Sequence, residues 1–243
     1  SEQAERRAGG DHRLLGIGVS TYIEVTGNGP STEYGSVAIE PDGSVILKCG
    51  VTSTGQGHQT TYAQIASERL GLPLDLIRLV QSDTELVPRG AGTYGSRSLQ
   101  LAGSAIDRAT EELVEQARRI AADRLEASLA DVVVHPGIGV GVIGSPASAI
   151  TWSDLAPLAV EHDFDQAGRT YPFGAHVSVV EVDSETGAVS IIRHITVDDV
   201  GNIINPLLAE GQQHGGIAQG VAQSLWEQME YDEDGQPRTS SLI

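Results

Sequence analysis

Gly55-Gln56-Gly57-His58-Gln59-Thr60 stands between an alternating apolar run and a helical pattern that begins at once. Two glycines around a glutamine let the backbone come close to a ligand, and the Gln56 amide can both donate and accept hydrogen bonds. Unpaired backbone N–H groups and the positive end of the dipole at a helix start favour a phosphate or another anion. The stretch predicts a ligand-binding loop, although a glycine turn before a helix is also ordinary capping.

A second glycine loop runs over residues 92–98, Gly-Thr-Tyr-Gly-Ser-Arg-Ser, and also precedes a helical pattern. Thr93, Ser96 and Ser98 supply hydroxyl groups, and Arg97 supplies a planar fork that suits a phosphate. The alternative is structural, with a serine capping the helix and Arg97 paired to an aspartate. The spacing does not fit a nucleophile elbow, which needs glycines two places either side of the serine.

A third group of acidic, amide and imidazole side chains surrounds the start of a helix near the C-terminus: Asp198, Asp199, Asn205, Gln212, Gln213 and His214. Adjacent strand residues face opposite ways, so at most one of the two aspartates can point at a shared site. The histidines lack the spacing of a zinc site on one element, so no metal held by side chains is predicted. We expect all three loops to line one groove and to close on one ligand.

Apolar alternation on either side of residues 41–43 and of residues 184–187 predicts two hairpins, each followed by a glycine cluster and a helix. A helical period predicts one long helix over about 98–127, and residues 136–146 are predicted to form a glycine-rich turn. Hairpins followed by helices favour the α+β class, with mixed sheets in two lobes, over a plain doubly wound fold. The predicted domains are a solvated linker, 1–13, a first lobe, 14–150, and a second lobe, 151–243.

The composition narrows the class of protein. With 15 basic and 33 acidic residues the net charge is −18, which disfavours nucleic acid as a partner. The absence of a long apolar segment or a signal pattern, and a single cysteine, Cys49, predict a cytoplasmic protein that does not enter a membrane. The chain does not begin with Met and ends at residues 240–243, just after a turn signal, which predicts a piece of a longer polypeptide.

With the three loops taken together, the chain resembles the large, molybdenum-cofactor subunit of the xanthine oxidase / aldehyde oxidase family, especially the bacterial carbon monoxide dehydrogenase-like large subunits. The resemblance spans nearly the whole chain in order. It is carried by these segments: Gly16-Ile17-Gly18-Val19, Gly55 to Thr60, Ala63-Gln64-Ile65, Gly92 to Ser98, Phe173-Gly174-Ala175-His176, Val197-Asp198-Asp199 with Asn205-Pro206, and Gly211-Gln212 with His214 to Gly220.

The resemblance implies that the loops cradle molybdopterin cytosine dinucleotide, with the metal held by the pterin and by no side chain. The reaction implied is hydroxylation of an aldehyde, a heterocycle or CO with water-derived oxygen, in an oligomeric enzyme whose partner subunits carry 2Fe-2S clusters and FAD. Gln56, Gly57 and His58 are implied near the pterin, and the loop from Thr93 to Ser98 near the phosphates or the nucleotide. The full set of implied cofactor-binding residues is Gln56, Gly57, His58, Thr60, Thr93, Tyr94, Gly95, Ser96, Arg97, Ser98, Asp199, Asn205 and Gln212.

The family's general base is a Glu in a Gly-x-Gly-Glu motif, and no such motif occurs in these 243 residues. No catalytic residue is therefore assigned, and the isolated fragment is predicted to be inactive. Two alternatives stay open at this point. One is a non-catalytic binding or assembly module that keeps the fold, and the other is a hydrolase that uses Ser96, His58 or an aspartate.

Overall fold

The chain divides into two units, and the computed structural model describes residues 1–238. We call residues 23–172 the core unit, and residues 1–22 together with the segment from Phe173 onward the hairpin unit. These units differ from the predicted lobes, because 14–22 group with the C-terminal segment and 151–172 group with the core unit. The C-terminal residues 240–243, which follow the predicted turn, lie outside the described residues.

The bounds of the elements are as follows. Over residues 1–238 the helices are α1 (Glu2–Ala8), α2 (His58–Leu70), α3 (Ser104–Arg124), α4 (Trp152–Leu155) and α5 (Pro206–Leu225). The strands are β1 (Arg13–Ile23), β2 (Thr32–Ile39), β3 (Val45–Cys49), β4 (Ile77–Val80), β5 (Val132–His135), β6 (Gly139–Val142), β7 (Ile150–Thr151), β8 (Leu158–Asp165), β9 (Phe173–Asp183) and β10 (Val189–Asp199).

The core unit is built on a four-stranded mixed sheet in the order β4-β3-β2-β8. β2 is antiparallel to both β3 and β8, whereas β3 and β4 run parallel because α2 crosses between them. Alternation along β2 and β3 turns one set of side chains inward, where Val37, Leu47 and others meet α2 and α3. A small antiparallel sheet, β5-β6-β7, adds to the same unit, and the mixed sheets confirm the α+β class.

Three predictions of local structure were wrong or incomplete, and one strand was missed. The segment 136–146 contains strand β6 in addition to turns, and β8 was not predicted at all. The predicted linker 1–13 contains helix α1. The long helix predicted over 98–127 begins as a π-helical turn, Ser98–Gly103, and continues as α3 to Arg124.

The hairpin unit consists of the sheet β1-β9-β10, helix α1 and helix α5. β9 and β10 form a long antiparallel hairpin whose register shifts between Ile191 and Arg193. α5 begins at Pro206 with Asn205 as its cap, and no residue of this helix is buried. Its glycines and exposed apolar residues therefore leave much of the helix surface uncovered.

In residues 1–238, no helix combines the length and the apolar character that crossing a membrane requires.

Candidate functional site

The first glycine loop connects β3 to α2 in a conformation that requires glycine. Gly55 and Gly57 have φ angles of 109° and 79°, in the region that side-chain-bearing residues rarely adopt. A methyl group on Gly55 would meet nothing within 4 Å, so the space above the loop is open. The side-chain oxygen of Gln56 accepts a hydrogen bond from the backbone N–H of Thr54, which fixes the amide within the loop. Thr60 lies exposed in the first turn of α2.

The structure brings the second glycine loop next to the first. The hydroxyl of Thr93 donates to the Thr52 carbonyl at 2.6 Å and accepts from the Thr52 backbone N–H at 3.0 Å. The Ser98 hydroxyl donates to Thr93 at 3.2 Å, and the hydroxyl of Tyr62, on α2, donates to the Ser98 carbonyl at 2.9 Å. Two loops that stand about forty residues apart are thus tied into one wall of the core unit.

Arg97 does not face solvent. Its side chain is fully buried and forms an ion pair with the equally buried Glu33. Nη1 also donates to the Gly92 carbonyl oxygen, and Nη2 donates to those of Pro30 and Thr32, at 3.0 to 3.1 Å. The buried Nε–H has no hydrogen-bond partner within the described residues. The structural alternative holds only in part, because Arg97 is paired with a glutamate and not with an aspartate, and no serine side chain caps the helix that follows. The enclosed guanidinium supports the loop and is not free to bind a phosphate.

The residues between Thr93 and Arg97 are also engaged within the core unit. Ser96 adopts a positive φ of 52°, and its hydroxyl donates to the Glu24 carboxylate at 2.8 Å. The Gly95 carbonyl accepts from the Asn28 backbone N–H at 3.2 Å. Tyr94 is half exposed, so the face of the loop that stays open is the one carrying the Tyr94 ring and the backbone around Gly92.

His58 is the buried polar group of this wall. It is 4% exposed and stacks on Tyr62 with the ring centroids 5.0 Å apart. Burial lowers the pKa of His58, and the neighbouring Gln81 side chain offsets this only in part. Within the described residues its Nδ1 atom has no hydrogen-bond partner. An unsatisfied buried nitrogen next to an open glycine loop is a group that a ligand could satisfy.

Sequence reasoning missed Gln81, which interacts with His58 and also accepts a hydrogen bond from the Ser53 backbone N–H at 3.2 Å. Gln81 directly follows β4, and β4 is parallel to β3, so the carboxyl ends of both strands lie at the same sheet edge. The signal that could have found it was the parallel crossover from β3 through α2 to β4, which the sequence suggests only weakly.

The third predicted group lies in the hairpin unit. Asn205 caps α5 by accepting the Leu208 backbone N–H at 3.0 Å, and Asp199 is exposed and accepts from the Gly201 N–H at 3.0 Å. Gln212 is exposed on the second turn of α5, without a hydrogen-bond partner in residues 1–238. Asp198 points the other way, into a polar cluster of the same unit, which confirms that the two aspartates face opposite sides.

Comparison with known proteins identifies the family. A family model described as a molybdopterin cofactor-binding domain matches residues 1–243. The chain belongs to this family. The cofactor-binding domain is 39% identical over its whole length to the carbon monoxide dehydrogenase large chain of Hydrogenophaga pseudoflava, and covers 33% of that protein. The resemblance to carbon monoxide dehydrogenase-like large subunits is thereby confirmed.

Other relatives and solved structures agree. The chain is 35% identical to 6-hydroxypseudooxynicotine dehydrogenase complex subunit gamma of Paenarthrobacter nicotinovorans, with 99% of this chain and 32% of the relative covered. The structure matches reconstituted CO dehydrogenase from Oligotropha carboxidovorans with a TM-score of 0.90 at 35% identity, covering 99% of this chain and 33% of that one. Quinoline 2-oxidoreductase from Pseudomonas putida 86 matches with a TM-score of 0.87 at 33% identity, over 99% and 34%. The domain thus spans about a third of the length of these relatives.

The residues of the core unit fit a cofactor of this kind on two counts. The orphaned Nδ1 of His58 and the open space at Gly55 and Gly92 leave room for a flat polar group at the joined loops. In residues 1–238 no cluster of three His, Cys, Asp or Glu side chains could hold a metal ion.

Proposed function

We propose that this domain supplies part of the binding surface for molybdopterin cytosine dinucleotide in the large subunit of a molybdenum hydroxylase. The observation that carries the proposal is the junction of the two glycine loops through Thr52 and Thr93, because it sets His58 and the open faces of Gly55 and Gly92 on one wall. The family match over the whole chain supports the molybdenum cofactor.

Each group has a role that follows from its environment. His58, whose lowered pKa favours the neutral ring, offers Nδ1 to a polar edge of the pterin. Gln56 and Gly57 allow close approach of the backbone at the start of α2, where a phosphate is stabilised. Thr60, Thr93, Tyr94, Gly95, Ser96 and Ser98 form the edge of this surface, and Arg97 holds their loop in shape. Asp199, Asn205 and Gln212 belong to the hairpin unit, and their proposed role in cofactor binding rests on the family resemblance.

When bound, the cofactor supplies the oxidation, adding water-derived oxygen to the substrate while electrons leave toward iron-sulfur and flavin groups. CO, aldehydes and aromatic heterocycles are the proposed substrate class, in line with the names of the relatives. The exposed apolar surface of the hairpin unit, which includes Ile17, Val197 and Trp226, supports contacts with the rest of the large subunit and with 2Fe-2S and FAD subunits. We propose a cytoplasmic complex in which the isolated domain is inactive.

The test compares the domain with the full-length subunit in a host that makes the cofactor. Molybdenum per chain is measured by mass spectrometry, and the nucleotide released by acid is measured by chromatography. We expect about one cytidine nucleotide per molybdenum in the full-length protein, and neither full occupancy nor turnover in the domain alone. Full occupancy and turnover in the domain would refute its inactivity, and a full-length protein without molybdenum would favour the non-catalytic module.

A matched pair of variants in the full-length subunit tests the proposed wall. Gly55→Ala and Gly137→Ala both place a methyl group at a positive φ with nothing within 4 Å, so the two changes strain the backbone alike. We expect Gly55→Ala to lower molybdenum occupancy severalfold, because only Gly55 adjoins the joined loops. Equal occupancy in the two variants would contradict the assigned location.

A further inference from the structure

The hairpin unit contains a groove of about 500 Å³ lined by β1, β9, β10 and α5. Its walls are mostly aliphatic, with Val180 and Ile191 on the strands and Ile217 and Val221 on the helix. One wall is polar and carries His176, Ser178 and His194. None of the predicted cofactor-binding residues lines it. We call this feature the imidazole groove.

The strand register explains why the polar residues meet. Alternation places His176 and Ser178 on one face of β9, and Ser178 lies opposite His194 of β10. The Ser178 hydroxyl is 2.8 Å from His194 Nδ1, and His194 Nε2 is 3.2 Å from His176 Nδ1. His176 Nε2 is in turn 3.2 Å from the Asp198 carboxylate. Four side chains thus form one continuous hydrogen-bonded row.

Asp198, at the inner end of this row, is held as a carboxylate. Burial raises its pKa, but the hydrogen bonds donated by Gln213, Thr196, Tyr22 and His176 outweigh burial and lower it to about 2. A carboxylate only accepts hydrogen bonds. Asp198 therefore accepts a hydrogen bond from its neighbour in the row, His176.

This acceptor fixes the direction of every hydrogen bond along the row when both rings are neutral. His176 donates from Nε2 toward Asp198 and so accepts at Nδ1, where His194 donates from Nε2. His194 then accepts at Nδ1 from the Ser178 hydroxyl. Ser178 makes no other hydrogen bond within the described residues, so its oxygen offers only lone pairs to the imidazole groove.

We propose that the imidazole groove binds a small neutral molecule with an apolar body and one O–H or N–H donor, such as a phenol or an N–H heterocycle. The donor bonds to Ser178 Oγ, and the body packs on Val180, Ile191 and Ile217. A carboxylate is disfavoured, because it brings lone pairs to an oxygen that already presents lone pairs, in a chain of net charge −18. An ether of the same shape should bind more weakly, because it has no O–H or N–H group to donate to Ser178 Oγ.

The test uses three naphthalenes that differ only in the polar group. Binding of 2-naphthol, 2-methoxynaphthalene and 2-naphthoate to the 243-residue chain is measured by calorimetry at pH 8, above the range in which free imidazole takes up a proton. We expect 2-naphthol to bind about tenfold more tightly than the ether, the equivalent of one good hydrogen bond. 2-Naphthoate should bind more weakly than either neutral ligand.

Ser178→Ala should abolish the preference for 2-naphthol over the ether, because it removes the acceptor. Ser190→Ala is the matched control, since Ser190 lies between the groove-lining Val189 and Ile191 and faces the other side of β10. The control should keep the tenfold preference. Equal affinity for alcohol and ether in the unaltered chain, or an unchanged preference in Ser178→Ala, would overturn the proposal.

Gly220→Leu tests the groove without weakening the helix. Gly220 lines the groove, nothing lies within 4 Å of a methyl group placed there, and replacing a helical glycine favours the helix. The leucine should fill the groove and weaken binding of both neutral ligands at least about tenfold. Gly215→Leu, on the same helix but outside the groove lining, should leave binding unchanged. Undiminished binding in Gly220→Leu would show that the ligand sits elsewhere.

Discussion

The core unit and the hairpin unit use similar sequence patterns but bury them to different extents. Both contain an alternating antiparallel hairpin followed by a helix. The glycines of the first repeat form a loop before α2, whereas the predicted third glycine cluster, Gly211 to Gly216, lies within α5 and is not a loop. Over residues 1–238, every fully buried hydrophobic side chain lies in the core unit, between Tyr34 and Val160. In the hairpin unit Ile17, Val197 and Trp226 are 67%, 71% and 76% exposed. Alternation thus specifies which face of a strand is apolar, but it does not specify what covers that face.

The covering helices account for the difference. α2 and α3 both contribute to the core unit's cluster of buried residues, and Tyr62, Leu70, Ile106 and Leu113 are fully buried there. α5 contributes no buried residue. A helix contributes to stability mainly through the apolar stripe that it buries, so the core unit should carry most of the free energy of unfolding. The hairpin unit instead leaves apolar side chains exposed, and an exposed apolar surface is suited to binding another molecule.

The largest expected effect comes from the buried ion pair of the core unit. Arg97→Met should lower the free energy of unfolding by about 3–5 kcal/mol, because it leaves the Glu33 carboxylate buried without its partner. The exposed pair of Arg89 and Asp163 is the control, and Arg89→Met should cost about 0–1 kcal/mol. Denaturant unfolding measures both. Similar losses of unfolding free energy in the two variants would contradict the expectation that breaking the buried ion pair costs more than breaking the exposed one.

Adding one methyl group should change the free energy of unfolding by a smaller amount. The change should be a loss of stability in the core unit and a gain in the hairpin unit. In Gly35→Ala, on β2, the methyl would lie 2.7 Å from the Ile106 backbone nitrogen, and overpacking should cost about 1–3 kcal/mol. In Gly215→Ala, on α5, the methyl meets nothing within 4 Å and should stabilise the helix by about 0.5–1 kcal/mol. Thermal melts followed by circular dichroism measure both changes. Destabilisation by Gly215→Ala would show that α5 is more tightly packed than its exposure indicates.

The smallest expected effect is a pH dependence of stability that arises from Asp198 in the hairpin unit. The folded-state pKa of Asp198, about 2, lies below the ordinary value, so its stabilising contribution is present above about pH 4 and is lost as the pH falls toward 2. We expect unaltered chain and Asp198→Asn to differ by an amount that shrinks by about 1 kcal/mol over that range. Melting temperatures at pH 5, 4, 3 and 2 test this. A constant difference would indicate that the Asp198 carboxylate is not held by its four donors.

The fold was predictable where its signals are local. Both hairpins, α2 and α5 follow from alternation, turn residues and helical spacing within short windows. β8 and β6 were missed because their signals are weak. In β8 only Leu158 and Val160 are buried, and β6 is half glycine. Their pairing with β2, and with β5 and β7, depends on residues far away or on backbone that carries no pattern.

The residue types of the candidate site could be predicted from the sequence, but the role of each residue could be predicted less well. Glycines, amides and hydroxyls at helix starts are compatible with a ligand and also with ordinary capping. The order of the motifs indicates the family, which the comparisons confirm. The role of Arg97 was open, because its partner Glu33 stands 64 positions earlier. A guanidinium looks the same in a sequence whether it meets a phosphate or a buried carboxylate.

The sequence by itself determined the family, the α+β class and the residue types of the two glycine loops and of the glycine cluster in α5, because these depend on composition and on spacing along the chain. Tertiary structure alone decided that Thr93 joins the first loop to the second, that Arg97 is enclosed and that Asp198 orders a row of imidazoles in the hairpin unit. Each of these depends on contacts between distant residues. Distant neighbours decide which side chains are buried and which partner donates in each hydrogen bond, so no local sequence pattern encodes either property.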